Sequence, residues 1–270
     1  MCSSFFLAKL AEIIRHPDCE SASMFESSVP VTEPSAPYHD YGRNLLVATT
    51  ANPAQVDQDL VENQAGVLSG IARRWRRERR RRKVGRAYDM ALEITRALQR
   101  IPYGASVLDV GCGNGYIAHH LSGLLGTRVM GIDLDQSTEA RIDYRPFDGM
   151  CFPVETRSLD AVLFCYVLHH AQDLPVLMSE LRRVLAASGQ VVVYEDIPER
   201  WWDRLVCSIH DRKWRGRTGP CTFQSEDGWR STFNAAGFRI TSTRTLSRWR
   251  NLAHPVSRRI FVLQLNGARL

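Results

Sequence analysis

The chain has 270 residues, 44% of them hydrophobic, and a formal net charge of +6. That supplies a core for one large domain or two small ones, and no run of about 18 apolar residues offers a membrane span. Cysteines at 2, 19, 112, 151, 165, 207 and 221 are odd in number and form no CxxC pair, which argues against a disulfide framework or a zinc site and for a reducing cytoplasm.

The N-terminus lacks a basic region and a long apolar core, so no signal peptide is expected. Residues 1–15 place Phe6, Leu10, Ile13 and Ile14 at helical spacing. Residues 1–70 as a whole read as a flexible acidic leader, with nine acidic residues against Lys9, Arg15 and Arg43. A basic helical region, 71–104, follows. Within it, residues 73–83 hold nine cations and one anion. Such a run is a docking arm for nucleic acid or another anionic surface, or simply a solvated helix face. Arginine density alone does not decide, since the chain has only three lysines against 32 arginines. Tyr88, Ala91, Leu92, Ile94, Leu98 and Ile101 form an apolar stripe behind it, and Pro102-Tyr103-Gly104 breaks the helix.

From 105 to 270 strand and helix patterns alternate. Strands are expected at 106–110, 128–133, 161–167 and 190–195, with closing strands at 238–246 and 259–265. Helices are expected at 115–125, 172–186 and 226–236. Alternation of this kind predicts an α/β doubly wound, mostly parallel sheet, its ligand lying beyond the C-terminal strand ends.

The first strand runs into Leu108-Asp109-Val110-Gly111-Cys112-Gly113-Asn114-Gly115. Glycines here admit a ligand close to the backbone, and the following helix start offers free N–H groups. The spacing is not the dinucleotide GxGxxG, because position 116 is tyrosine, and no P-loop GK[ST] is present. The segment resembles the first motif of class I S-adenosylmethionine-dependent methyltransferases, closest to the type 11 domain. Gly131-Ile132-Asp133-Leu134, Phe147-Asp148-Gly149-Met150-Cys151-Phe152-Pro153, the strand ending Val167-Leu168-His169-His170, and Ala235-Ala236-Gly237-Phe238 fall in that family's order.

The resemblance covers roughly 86–265. It implies a seven-stranded Rossmann-like sheet with an antiparallel last strand, S-adenosylmethionine as cofactor, and no metal. It also implies roles. Asp109 holds the methionine amino group, and Gly111, Cys112 and Gly113 let the cofactor approach. Asp133 binds the ribose beside Leu134. Asp148 takes the adenine amino group, with Gly149 against the ring. Phe164 and Cys165 lie beside the cofactor. One departure stands out: the short link from Asp133 to Asp148 leaves room only for a turn or two of helix at Ser137–Ile142 and a strand at 143–147.

Methyl transfer needs alignment first, and a base only where the acceptor carries a proton. Base candidates at the strand tips are His169, His170, Glu195, Asp196 and His210, with His170 first and Asp196 and His210 beside it. Each also suits a structural role. The Asn/Asp-Pro-Pro-aromatic signature of base N-methylation is absent after strand four. Pro220-Cys221 lies too late in the chain for a cytosine C5 nucleophile.

The segment 199–224 carries Trp201, Trp202, His210, Lys213 and Trp214. It reads as an insertion covering the acceptor, its tryptophans either stacking on ligand or packing on the sheet. The expected activity is methyl transfer to a small molecule. The alternatives are an RNA or protein methyltransferase docking through 73–83, or a non-catalytic cofactor-binding scaffold.

Overall fold

The structure is a computed structural model describing residues 53–98, 101–135, 137–250 and 254–267. The expected helix over 1–15 lies outside the described residues, as does most of the leader. The chain divides into two units after Gly85.

Helix α1 runs from Pro53 to Ala97, so residues 53–70, expected as leader, are helical. Proline suits the first helical position because its missing N–H has no partner there anyway. The arginines that follow are good helix formers, and Arg82 pairs with Glu78 one turn back at 2.9 Å. Residues 71–83 are exposed throughout. The apolar stripe buries Ala87, Ala91, Ile94, Ala97 and Leu98, while Tyr88 faces outward.

The remainder alternates as the pattern predicts. The elements are β1 (Val107–Val110), α2 (Tyr116–Leu125), β2 (Val129–Asp133), β3 (Asp143–Pro146), β4 (Leu159–Cys165), α3 (Leu174–Val184), β5 (Leu185–Ile197), α4 (Trp201–Thr218), α5 (Glu226–Ala235), β6 (Phe238–Leu246) and β7 (Ser257–Leu265). They form one seven-stranded sheet ordered β3-β2-β1-β4-β5-β7-β6. The first five strands are parallel, and β7 runs antiparallel to both β5 and β6.

Successive side chains point to opposite faces of a strand. Leu108, Val110, Val162, Phe164, Val191 and Val193 meet Leu177 and Leu181 of α3 and Trp229 and Phe233 of α5. Val107, Leu163, Val192 and Ile260 meet Ala91 and Ile94 of α1 and Ala118 and Leu121 of α2. Burial on both faces explains why these strands are near-continuous apolar runs.

Two local expectations are corrected. No helix forms over 137–142. That segment is instead tied to the glycine loop, where the Glu139 carboxylate accepts from Asn114 Nδ2 and from the Tyr116 hydroxyl, and Ala140 N–H donates to the Asn114 carbonyl at 3.0 Å. The strand expected at 190–195 begins earlier, at Leu185, and residues 186–189 bulge out of register, since β4 pairs Leu159 with Leu185 and then Ala161 with Gln190. A Cβ at Gly189 would sit 2.7 Å from the Leu185 side chain and 2.9 Å from the Leu159 carbonyl oxygen, so glycine lets the bulge fold close against both.

Candidate active site

Gly111, Gly113 and Gly115 have φ of +67°, +53° and +74°, in the region where a side chain is strained. They bend the chain sharply between β1 and α2. Gly111 and Cys112 N–H groups donate to the Ile132 carbonyl at 2.8 and 3.0 Å, fixing the loop to the end of β2. A Cβ at Gly111 would lie 2.5 Å from Val167, whereas one at Gly113 would meet nothing within 4 Å. Gly111 is thus required by packing, and the space at Gly113 is open to a ligand. Helix α2 starts with no side-chain cap, leaving its first N–H groups available.

Two carboxylates flank this loop. Asp133 accepts the Gly113 N–H at 2.7 Å and the Asp135 N–H at 3.2 Å. Asp109 is buried, and neither of its oxygens has a hydrogen-bond partner. The Ala118 amide is the nearest backbone help, outside hydrogen-bonding alignment. Burial first, then the Asp133 charge, push the Asp109 carboxyl from 3.8 up to about 7, against a smaller lowering by Ala118. A buried carboxylate without a hydrogen-bond partner is the kind of group a cation would satisfy.

Past β2, Leu134 and Met150 are both about half exposed, and Gly149 lies against Leu134. Asp148 Oδ1 accepts the Met150 and Cys151 N–H groups at 2.8 and 2.9 Å, shaping a turn that leaves the Met150 side chain exposed. Phe164 does not belong to this site. It projects to the α3/α5 face and is fully buried there, because the pleat sends it opposite to Cys165. Cys165 lies on the Asp109 face, and burial, with Asp109 next, raises its thiol well above the usual range. Cys112 is buried under the loop with its thiol likewise raised.

A second cluster lies just past β4. A short 3-10 turn, Leu168–His170, presents two histidines. His169 is fully buried, its Nδ1 2.6 Å from Glu195 Oε2 and its Nε2 without a partner. Burial opposes its charge, but the Glu195 carboxylate outweighs that and raises its pKa above 6.5. His170 Nδ1 lies 2.9 Å from Thr218 Oγ1 and 3.3 Å from Cys221 Sγ, and its Nε2 lies 3.2 Å from His210 Nε2. Burial, then His169 and His210, lower His170 to about 3. Burial, then His169 and His254, lower His210 to about 4. Both are therefore neutral imidazoles at neutral pH.

Asp196 is not free to act as a base. It is buried, 2.8 Å from His254 Nε2 and 3.1 Å from Arg258 Nε, the latter a charge contact without hydrogen-bond alignment.

The 199–224 insertion is mostly helix α4. Asp203 starts it by accepting the Arg200 N–H at 3.0 Å. The insertion is fastened to β4's tip by Thr222 N–H to the His169 carbonyl at 2.7 Å, and to the loop after β2 by an Arg217–Asp135 ion pair. Trp201 is 71% exposed, so it neither packs on the sheet nor lines the cluster. Trp202 is held between Arg200 and Arg248, whose guanidinium carbons lie 5.0 and 5.4 Å from its ring centre. With Val206, Trp249 and Pro255 these residues line a cavity of about 520 Å³. No lining residue comes from the glycine loop or the histidine cluster, so this cavity is separate from the carboxylates and imidazoles.

Sequence reasoning missed Glu139, His254 and the place of Cys221, which was weighed only as a nucleophile. His169 and Glu195 were singled out, but their partnership was not legible, since it joins two strand ends far apart in the chain.

A methyltransferase-domain family model matches residues 76–243. A probable S-adenosylmethionine-dependent methyltransferase of Mycolicibacterium smegmatis is 34% identical over 97 residues, 33% of this chain and 37% of that protein. The mouse tRNA (carboxymethyluridine(34)-5-O)-methyltransferase is 31% identical over 109 residues, 37% of this chain and 16% of that protein. The chain therefore spans well under half the length of either relative. Geranyl diphosphate C-methyltransferase from Streptomyces coelicolor A3(2), solved with Mg2+, geranyl diphosphate and S-adenosyl-L-homocysteine, shares the fold. Its TM-score is 0.54 at 14% identity, covering 66% of this chain and 78% of that one.

Proposed function

The chain belongs to the methyltransferase-domain family, class I S-adenosylmethionine-dependent enzymes with a type 11-like domain, and on that premise we propose that it methylates a small molecule held beneath α4. S-adenosylmethionine supplies an activated methyl on a sulfonium whose sulfur leaves as a neutral sulfide. The residues fit that group. Asp109 is a buried carboxylate awaiting a cation, and the methionine amino group satisfies it. Asp133 is placed for the ribose hydroxyls by exchanging its contact with the Gly113 N–H. Leu134, Gly149 and Met150 take the adenine faces, and Asp148 takes its amino group. Gly111 and Gly113 keep the path clear, with Cys112 and Cys165 as uncharged walls.

The observation that carries the acceptor class is the fastening of the 199–224 segment, whose C-terminal end is tied to His169 through Thr222 and to Asp135 through Arg217. Arg248 holds the other end of the segment through Asp203 at 3.0 Å, and a cover fastened at both ends favours a small acceptor over a polymer. His170 and His210, both neutral, lie on the inner side of that segment, their Nε2 atoms 3.2 Å apart. Asp196 acts only as a positioning residue, through His254, whose ring centre is 5.5 Å from that of His210.

The second reading, an RNA or protein acceptor docked through 73–83, is favoured by the full exposure of that run. Methyl-labelled S-adenosylmethionine, supplied with metabolite, RNA and protein fractions, separates the two. The small-acceptor reading expects label in the low-mass fraction, unchanged when Arg76, Arg77, Arg79 and Arg81 become glutamine. Label found only in RNA or protein, and lost with rising salt and with those substitutions, would overturn it.

A further inference from the structure

We propose that His169, His170 and His210 form a binding site for a late first-row divalent metal ion, Zn2+ by preference, with one coordination position left open. One ring nitrogen from each of the three lies within 4.8 Å of the others. The His170 and His210 Nε2 atoms are 3.2 Å apart. Two imidazole nitrogens at about 2.0–2.1 Å from a tetrahedral Zn2+ stand roughly 3.3 Å apart, so that edge is already formed. The His169 nitrogen lies within 4.8 Å of that edge, so closing the triangle needs a shift on the order of an ångström.

The second observation concerns His169. Its Nε2 is buried with no partner, a state folded chains seldom leave a polar group in. Its Nδ1 is held 2.6 Å from Glu195, so Nε2 is the nitrogen left for a metal. A carboxylate behind a ligating imidazole is the usual way a metal site fixes ring orientation and raises ligand basicity. His170 has the same arrangement, with Nδ1 held by Thr218 and Cys221 while Nε2 faces His210. Two of the three rings thus have their outer nitrogen fixed by another residue. This places Cys221 behind a ligand rather than on the ion, so three imidazoles bind and the fourth position stays open.

An all-imidazole set suits Zn2+, Co2+, Ni2+ or Cu2+, and disfavours Mg2+ and Ca2+, which require oxygen ligands. The loop carboxylates Asp109 and Asp133 lie outside the group, so the ion and the cofactor do not compete for ligands.

The test uses tag-free full-length protein, stripped with chelator and reloaded with Zn2+ or Co2+. Mass-spectrometric metal analysis is expected to find one ion per chain. The Co2+ form is expected to show visible d–d bands of a four-coordinate site that shift on adding azide, a probe of the open position. His210→Ala is expected to weaken Zn2+ binding about a hundredfold or more. Glu195→Gln weakens it about 10–100-fold, and Cys221→Ser leaves it within a few-fold of the parent. Titration with S-adenosylmethionine, read by calorimetry on each variant, reports whether the fold and cofactor site are intact. Retained cofactor binding with substoichiometric metal would overturn the proposal and leave the methyltransferase reading standing. Bands that ignore azide, or metal loss in Cys221→Ser alone, would overturn the open three-histidine arrangement.

Discussion

Replacing Asp109 by asparagine should stabilise the cofactor-free protein and weaken cofactor binding, both for one reason. The Asp109 carboxyl is raised from 3.8 to about 7 by burial and by Asp133. A carboxyl with a higher pKa folded than unfolded binds more protons in the folded state between those values. Stability is therefore lost as pH rises from about 4 to about 7, and stays lost above that. At 1.36 kcal/mol per unit, the ceiling on this loss is about 4 kcal/mol. Asparagine keeps the shape and abolishes the ionisation. At pH 8 the variant should resist urea better by about 1–4 kcal/mol, with the gap closing toward pH 4. Calorimetry should show the reverse for S-adenosylmethionine, a loss of roughly 10–100-fold, because a charged hydrogen bond contributes about 1.5–3 kcal/mol. Wild-type binding near pH 7 should release a proton, visible as a buffer-dependent heat. A variant no more stable than the parent at pH 8, or one binding cofactor equally well, would refute the assignment of Asp109 as a strained site for a cation.

Other perturbations separate fold from function. Gly111→Ala should cost about 2–4 kcal/mol in thermal denaturation, since it adds left-handed strain to a 2.5 Å clash with Val167. Gly113→Ala meets no protein atom, so its stability cost should be only about 1 kcal/mol while cofactor affinity falls tenfold or more in the same calorimetric assay. Trp229→Ala empties a fully buried site between α5 and the sheet and should lower stability by about 3–5 kcal/mol in urea titrations. Asp203→Ala removes the start of α4 and leaves Arg248 without its 3.0 Å partner, a loss of about 2–3 kcal/mol. Limited proteolysis should then cut first within 199–224.

The strands and the glycine loop were legible because their signals are local: apolar runs bounded by glycines, with carboxylates at fixed offsets. What escaped was set by distant parts of the chain. The 137–142 segment has room for a helical turn, but Glu139 bonds Asn114 and Tyr116 and ties the segment to the glycine loop as an irregular, bent stretch. Strand β5 starts at Leu185, ahead of a bulge at 186–189 that pairing with β4 spans and no local pattern reports. Phe164 was placed beside the cofactor by motif position, and the pleat sends it to the other face. Asp196 had the right place for a base, and only the fold brings His254 and Arg258 onto it. The histidine cluster needs α4 folded back over β4, a contact no spacing rule reports.

Strand β7 closes the sheet from between β5 and β6, with residues 257–265 antiparallel to both. During synthesis, then, the outer edge of β5 is complete at Ile197 but bare until Leu265 has been added. At 5–20 residues per second that interval is roughly 3–14 seconds. Through it the nascent chain displays an unpaired strand edge with a continuous apolar run, the geometry most prone to pairing with a neighbouring chain. A synonymous change that slows elongation between 198 and 256 would lengthen the exposure. Its cost would fall on the yield of folded enzyme and leave the activity of each folded molecule untouched.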